Sequence, residues 1–281
     1  MVDINNLLNK LNEEQIKPVL DTEGAILVIA GAGSGKTRVL TTRIAYLIME
    51  KGVSPYQIMA ITFTNKAANE MKERLNKIVG DVGDMWVSTI HSMCVRILRR
   101  DIDKLGYDSN FTIYDETDKD RVLKRVFEEL GYDHDKFFKP AKNLISNAKN
   151  ECLSPDEFKK ENGHLRFVDE FTAIYKAYEE QLERSNSLDF DDLLFKTYQL
   201  FVNHPEIADY YSNKFKYIHI DEFQDTNKVQ FAIAQELSRK HGNIFVVGDD
   251  DQSIYGWRGA KISNIFIFSY FVIFNNKVCN V

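Results

Sequence analysis

The sequence predicts an α/β fold: a parallel sheet covered by helices and interrupted by a mostly helical insertion. Three observations predict it. Short apolar, β-branched runs alternate with helix-like segments from residue 25 to residue 100. Strand signals then nearly vanish between residues 104 and 188. They return at residues 217–221 and 243–249. That is the rhythm of βαβ units, split by a segment of another kind.

Each element has its own signal. AILVIA at residues 25–30 reads as a buried strand. Residues 37–51 read as a helix, with Val39, Leu40, Ile44, Leu47 and Ile48 on one face. IMAIT at 58–62 is a second strand, followed by a helix over about 66–79. Residues 85–89 form a third strand, followed by a helix through Arg100. Inside the insertion only FTIY at 111–114 reads as strand, and charge-rich helices cover 118–130 and 167–184. The expected organisation is a core over 1–103 and 189–265 with an insertion over 104–188. The last twenty residues, 262–281, carry one charge, Lys277. Phe266, Phe268, Tyr270, Phe271 and Phe274 crowd there with no polar face. Residues 266–281 are therefore expected to be an aberrant apolar tail that packs poorly, the mark of a frameshift or premature end; a new packing element is the alternative.

Composition narrows the function classes. The chain has 281 residues, 44% hydrophobic and 28% charged, which suits a globular fold and excludes a disordered or fibrous one. Cys94, Cys152 and Cys279 lie far apart, so neither a disulfide scaffold nor a zinc ribbon is expected, and a reducing cytoplasm is. Cys94, beside Val95 and Leu98 on a helix face, reads as packing. No signal peptide is read at the N-terminus. The longest apolar run, 265–274, is about half of the roughly 20 residues a spanning helix needs, so no membrane association is expected. A net charge of −6 excludes a large nonspecific basic surface but permits a local basic groove.

Three segments carry chemistry. Ala30, Gly31, Ala32, Gly33, Ser34, Gly35, Lys36 and Thr37 lie between a buried strand and a helix, the setting of a phosphate-binding loop. Small residues let backbone N–H groups surround phosphates, and the helix N-terminus adds positive potential. Lys36 can reach the terminal phosphates and Thr37 can ligate Mg²⁺. The usual pattern begins with glycine where this chain has Ala30. IHIDEFQD at 218–225 ends a strand in two acids. Asp221 is placed to hold Mg²⁺ through water, and Glu222 to polarise the attacking water. In VVGDDDQSIYGWRGA at 246–260, Gln252 lies past a strand tip, where an amide can sense the γ-phosphate. Tyr255, Trp257 and Arg258 follow, a set suited to stacking bases and holding phosphate; a core role is the alternative for Trp257.

Together these segments resemble the superfamily I DNA helicases of the UvrD/Rep/PcrA family, nearest to the PcrA group, and only their N-terminal half. LNEEQ at 11–15, AGAGSGKTR at 30–38, AITFTNKAANEMKERL at 60–75, STIHSMCVRILRR at 88–100, SLDFDDLL at 187–194, IHIDEFQD and VGDDDQSIYGWRGA stand in family order. The resemblance implies a RecA-like core and an ATP-dependent 3′→5′ DNA helicase acting in repair or replication. It implies ATP and Mg²⁺, with single-stranded DNA, or a duplex with a single-stranded tail, as partner. It places Gln15 at adenine, Arg38 beside the nucleotide, and Phe63, Asn65, His91, Tyr255, Trp257 and Arg258 along the DNA. Phe223 stands where the family often has Tyr. His219 reads as core or as a support to the site. Arg96, Arg99 and Arg100 fit a DNA patch and a solvated basic helix face equally well.

The family's engine closes ATP between two cores, and the second core supplies arginine fingers. That core is absent from this sequence, so the expectation is an ATP-binding half not competent for unwinding alone. The alternative is a non-catalytic module that binds ATP and single-stranded DNA.

Overall fold

A computed structural model of the chain describes residues 3–31, 33–83, 85–249 and 278–280. In chain order the elements are α1 (Ile4–Leu8), α2 (Glu13–Leu20), β1 (Ile26–Ile29), α3 (Lys36–Met49), β2 (Ile58–Thr62), α4 (Asn65–Val79), β3 (Trp86–Thr89) and α5 (Ile90–Asp101). There follow β4 (Thr112–Ile113), α6 (Glu116–Leu130), α7 (His134–Asn150), α8 (Pro155–Glu161), α9 (Val168–Arg184), β5 (Ser187–Leu188) and α10 (Phe190–Asn203). The chain then forms α11 (Pro205–Lys214), β6 (Tyr217–Ile220), α12 (Lys228–Ser238), β7 (Ile244–Gly248) and β8 (Val278–Asn280). The strands and helices read from periodicity are all present.

The chain divides into two compact units. One comprises Met1–Met93, Glu206–Asn227 and Ala234–Val281; the other comprises Cys94–Pro205 and Lys228–Ile233. The helical unit is wider than the 104–188 read from sequence, because α10 packs on α7 and on the 3₁₀ turn Ile102–Leu105.

The first unit is built on a parallel sheet of order β3-β2-β6-β7-β1-β8 among the described residues. Every residue of β2 and β7 is buried. Alternate side chains leave a strand on opposite faces, so both faces of the sheet are covered, and apolar runs without alternation follow. The order sets β1 beside β7 and β7 beside β6. Three loops therefore leave neighbouring strands at one edge, where α/β folds place their ligands. Residues 266–277 and 281 of the apolar tail lie outside the described residues. Residues 278–280 form β8 against β1, with Leu27 opposite Val278, and Cys279 is half-buried against the core.

α2 is held to α3 by a buried cation. Asn12 and Gln15 form a reciprocal cap at the start of α2. At its far end, Arg43 of α3 donates to the carbonyls of Pro18 (2.6 Å), Asp21 and Thr22 (2.9 Å). Its guanidinium lies 4.5 Å from the centre of the Phe245 ring and is fully buried. Burial lowers its pKa to about 10, so it stays charged at neutral pH. His219, buried in β6 with its ring 5.7 Å from that of Phe245, is held neutral by burial and by the Arg43 charge, and belongs to the core. Arg43→Leu strands three carbonyls, each worth about 1–3 kcal/mol when left unsatisfied. Urea denaturation should show a loss of about 3 kcal/mol or more. A loss under about 1 kcal/mol would mean that water replaces the guanidinium.

The helical unit packs α6, α7, α8 and α9 around an apolar cluster that includes Leu123, Phe127, Ile145, Ile174 and Tyr178. β4 and β5 pair in parallel at its side. Its unusual feature is a buried ionic centre. Lys149 Nζ, with no exposure, lies 2.9 Å from Asp189 Oδ2, 2.7 Å from Asp192 Oδ1 and 2.8 Å from Glu179 Oε1. Lys196 reaches Glu179 at 2.9 Å, Lys119 reaches Asp191 at 3.0 Å, and Tyr178 donates to Asp189 at 2.8 Å. Asp189 and Asp192 also form the reciprocal cap that starts α10. Cys94 is fully buried, as its helix position implied, and burial raises its thiol pKa to about 12. Arg99 is engaged within this unit by the Ser109 carbonyl (2.7 Å) and the Phe111 ring, which favours a structural role over a DNA contact.

Candidate functional site

The phosphate loop grows directly out of β1. Ala30 extends the strand ladder by donating its N–H to Gly248 O at 3.0 Å, and it is buried. Its φ is not positive, so alanine serves there as well as glycine. The glycines that matter follow. Gly33 and Gly35 sit at φ 74° and 92°, which disfavour any side chain. Gly35 caps α3 with no side-chain hydrogen bond, so no cap side chain competes for the first N–H groups of this long helix. Such a helix start suits an anion. Ala32 lies outside the described residues.

Gln15 is brought to this loop. Its amide Nε2 donates to Ser34 O at 2.7 Å, while its Oε1 closes the cap of α2. Arg38, on the first turn of α3, is exposed. The α2–Arg43–α3 clamp therefore sets the height at which Gln15 meets the loop.

The acids arrive from the next strands. Asp221 follows β6 and donates its N–H to Ile61 O at 2.9 Å. Its Oδ2 lies 3.5 Å from Thr37 Oγ1. Burial first, and Glu222 second, push its pKa up to about 6. A buried carboxylate in that condition is short of positive charge. Glu222 adopts φ 53°, a left-handed conformation that few non-glycine residues hold. Phe223 is fully buried, so the absent tyrosine hydroxyl leaves no polar group to satisfy.

Three residues that sequence reasoning did not assign complete the cluster. Asp249, just past β7, holds Lys36 Nζ at 3.2 Å and is buried. Gln224 donates to Glu222 Oε2 at 2.6 Å. Asp225 is nearly buried, and burial and Glu222 raise its pKa to about 6. The signal for Asp249 was its place as first of three acids after an apolar strand. Gln224 and Asp225 carried no signal beyond adjacency to Glu222.

A cleft of about 310 Å³ is lined by Thr37, Asp221, Glu222, Gln224 and Asp225 together with Thr62, Phe63, Thr64 and Arg74; Lys36 and Asp249 stand outside its lining. Phe63 is thus brought to the acids. Asn65, the first residue of α4, is exposed, and His91 of α5 is half-buried; neither lines the cleft. Gln252, Tyr255, Trp257 and Arg258 lie outside the described residues.

Residues 11–271 match the UvrD/REP helicase N-terminal domain. Over 270 residues the chain is 54% identical to the ATP-dependent DNA helicase PcrA of Staphylococcus aureus (strain Mu50), covering 94% of this chain and 36% of that protein. The PcrA of Staphylococcus epidermidis (strain ATCC 12228) is 53% identical over the same length and coverage. The chain spans about a third of the length of these relatives. The match runs from the segment before Gln15 to well past Asp249, and on that extent the chain belongs to the UvrD/REP helicase family, within its N-terminal domain.

Proposed function

We propose that this chain is the ATP-binding half of a cytoplasmic, ATP-dependent 3′→5′ DNA helicase of repair or replication. It binds Mg·ATP at the cleft and single-stranded DNA beside it. One observation carries the reading: Lys36, Asp221 with Glu222, and Asp249 stand at the ends of three neighbouring parallel strands, beside an open helix N-terminus. Among the described residues no helix is long and apolar enough to cross a membrane.

The residues divide the work. The N-terminus of α3 and Lys36 hold the phosphates, Lys36 exchanging Asp249 for the nucleotide. Thr37 Oγ1 and Asp221 offer hard oxygen donors on one side of the loop, and the raised pKa of Asp221 fits a place reserved for a cation. Among the described residues no group of three or more His, Cys, Asp or Glu is placed to hold a metal ion. Mg²⁺ is usually bound through one or two carboxylates with waters and phosphate oxygens. When bound, Mg²⁺ would neutralise charge developing on the transferred phosphoryl group. Glu222 accepts the proton of the attacking water. Gln15 and Arg38 take the adenine side, and Gln252 links the γ-phosphate to DNA. Phe63, Asn65, His91, Tyr255, Trp257 and Arg258 form the DNA path; the presence of Phe63 in the cleft wall supports linking that path to the nucleotide.

Lys36→Ala should weaken Mg·ATP binding by roughly 10- to 100-fold, the loss of a charge-assisted contact of about 1.5–3 kcal/mol. Titration calorimetry on the purified chain measures it, and equal affinity would remove Lys36 from the site. ATP turnover with and without single-stranded DNA then tests the enzymatic half of the reading. DNA-stimulated turnover supports it; binding without turnover makes the chain a nucleotide-dependent DNA-binding module.

A further inference from the structure

Glu222 has a peculiar position for a base. Its φ of 53° turns the chain sharply at the end of β6, and the 3₁₀ turn Phe223–Asp225 begins at once. The backbone fixes where its side chain starts but not where its carboxylate ends. A second residue supplies that. Gln224 is 2% exposed and makes two directed hydrogen bonds. Its Nε2 donates to Glu222 Oε2 at 2.6 Å, and its Oε1 accepts the backbone N–H of Asp249 at 3.0 Å. Asp249 in turn holds Lys36 through its carboxylate at 3.2 Å.

The chemistry of the amide suits this place. One end must donate to a carboxylate and the other must accept from a backbone N–H. A glutamate here keeps the acceptor but turns a second carboxylate on Glu222. A leucine keeps the volume and loses both bonds. Because the contact partner is the backbone of Asp249, the amide references Glu222 to the end of β7, where Lys36 is also anchored.

We propose that Gln224 is the positioning residue of the hydrolytic base: its amide fixes the Glu222 carboxylate against the end of β7, in register with the lysine that takes the phosphates. The inference rests on the nucleotide reading above. Gln224 touches no reacting atom; it acts through Glu222. A misplacement of about 1 Å in a catalytic group can cost on the order of 100-fold. Gln224→Leu and Gln224→Glu should therefore slow single-turnover ATP hydrolysis by roughly 10- to 100-fold while leaving the Mg·ATP dissociation constant within about twofold.

The experiment combines two measurements on the full chain. Calorimetry gives Mg·ATP affinity and single-turnover assays give the rate, for the parent and both variants. Crystal structures of the same three proteins show where Glu222 Oε2 lies. Slower hydrolysis at constant affinity, with the carboxylate turned away in both variants, is the expected result. An unchanged rate overturns the proposal. So does a joint loss of rate and affinity, which would make Gln224 a general support of the strand end. If the parent binds Mg·ATP without turning it over, the crystal structures decide: a Glu222 carboxylate in its original place in Gln224→Leu overturns the proposal, and a displaced one upholds it. A parent that binds no Mg·ATP defeats the nucleotide reading itself, and the position of Glu222 in the variants still tests the contact.

Discussion

Lys149→Met should destabilise the helical unit by about 3–5 kcal/mol, the range for removing one partner of a buried ion pair. Lys149 is fully buried, and three carboxylates lie within 3 Å of its ammonium. Burial alone would depress its pKa, but Asp189, Asp192 and Glu179 raise it well above the usual lysine value. Methionine fills the volume and leaves the carboxylates facing one another. Two of them also cap α10, so the loss reaches that helix start. Asp192→Asn is the contrasting case. Burial, Asp189 and Glu179 push the Asp192 carboxyl up to about 8. An acid whose folded pKa is raised binds its proton more tightly folded than unfolded, so stability falls as pH rises. Its penalty grows from about pH 4, where the unfolded acid ionises, to about pH 8, where the folded one does. An amide at this position carries no such penalty, so the variant's stability should decline less than the parent's over that window. Urea denaturation of the three proteins at pH 5 and pH 8 measures both effects. A cost below about 1 kcal/mol for Lys149→Met would mean that water or a neighbouring lysine compensates the acids.

The sheet and the phosphate loop were legible because local sequence and global fold make the same demand there. A strand such as AILVI must be apolar throughout when both its faces are covered, and a loop that folds around phosphate must be rich in glycine. The insertion was legible as a loss of that rhythm, but its limits were not. α10 carries an apolar face, and its packing on α7 and on the 3₁₀ turn Ile102–Leu105 assigns it. The residues that sequence reading missed work through long-range contacts. Arg43 stands on the helix face read as Val39, Leu40, Ile44 and Leu47, and nothing local announces that its partners are carbonyls more than 20 residues upstream. Lys149 follows Ala141, Ile145 and Ala148 onto the buried side of α7, so a lysine in a core position was the available signal. Its acids lie 30 to 43 residues away and no spacing rule links them. Gln224 needed the register of β6 against β7 before its second bond could be seen.

Glu222→Gln should have the largest effect on chemistry. On the proposed reading it removes the group that takes the water's proton, worth about 10²–10⁴-fold in rate. It keeps the size of the side chain and its hydrogen-bonding capacity towards Gln224. It also removes a negative charge close to where three phosphates bind, so Mg·ATP affinity should hold or rise. This split is the reverse of that expected for Lys36→Ala, where affinity falls first. Asp221 sharpens the distinction, since its pKa is raised partly by the Glu222 charge. Removing that charge eases ionisation of Asp221 and favours Mg²⁺ over protons at the same carboxylate. Single-turnover hydrolysis with single-stranded DNA present, set beside calorimetric titration of Mg·ATP, reads both quantities on one preparation. A Glu222→Gln variant that hydrolyses as fast as the parent would take Glu222 out of proton transfer. Asp225, a buried residue lining the same cleft with its pKa raised to about 6, would then be the base to test next.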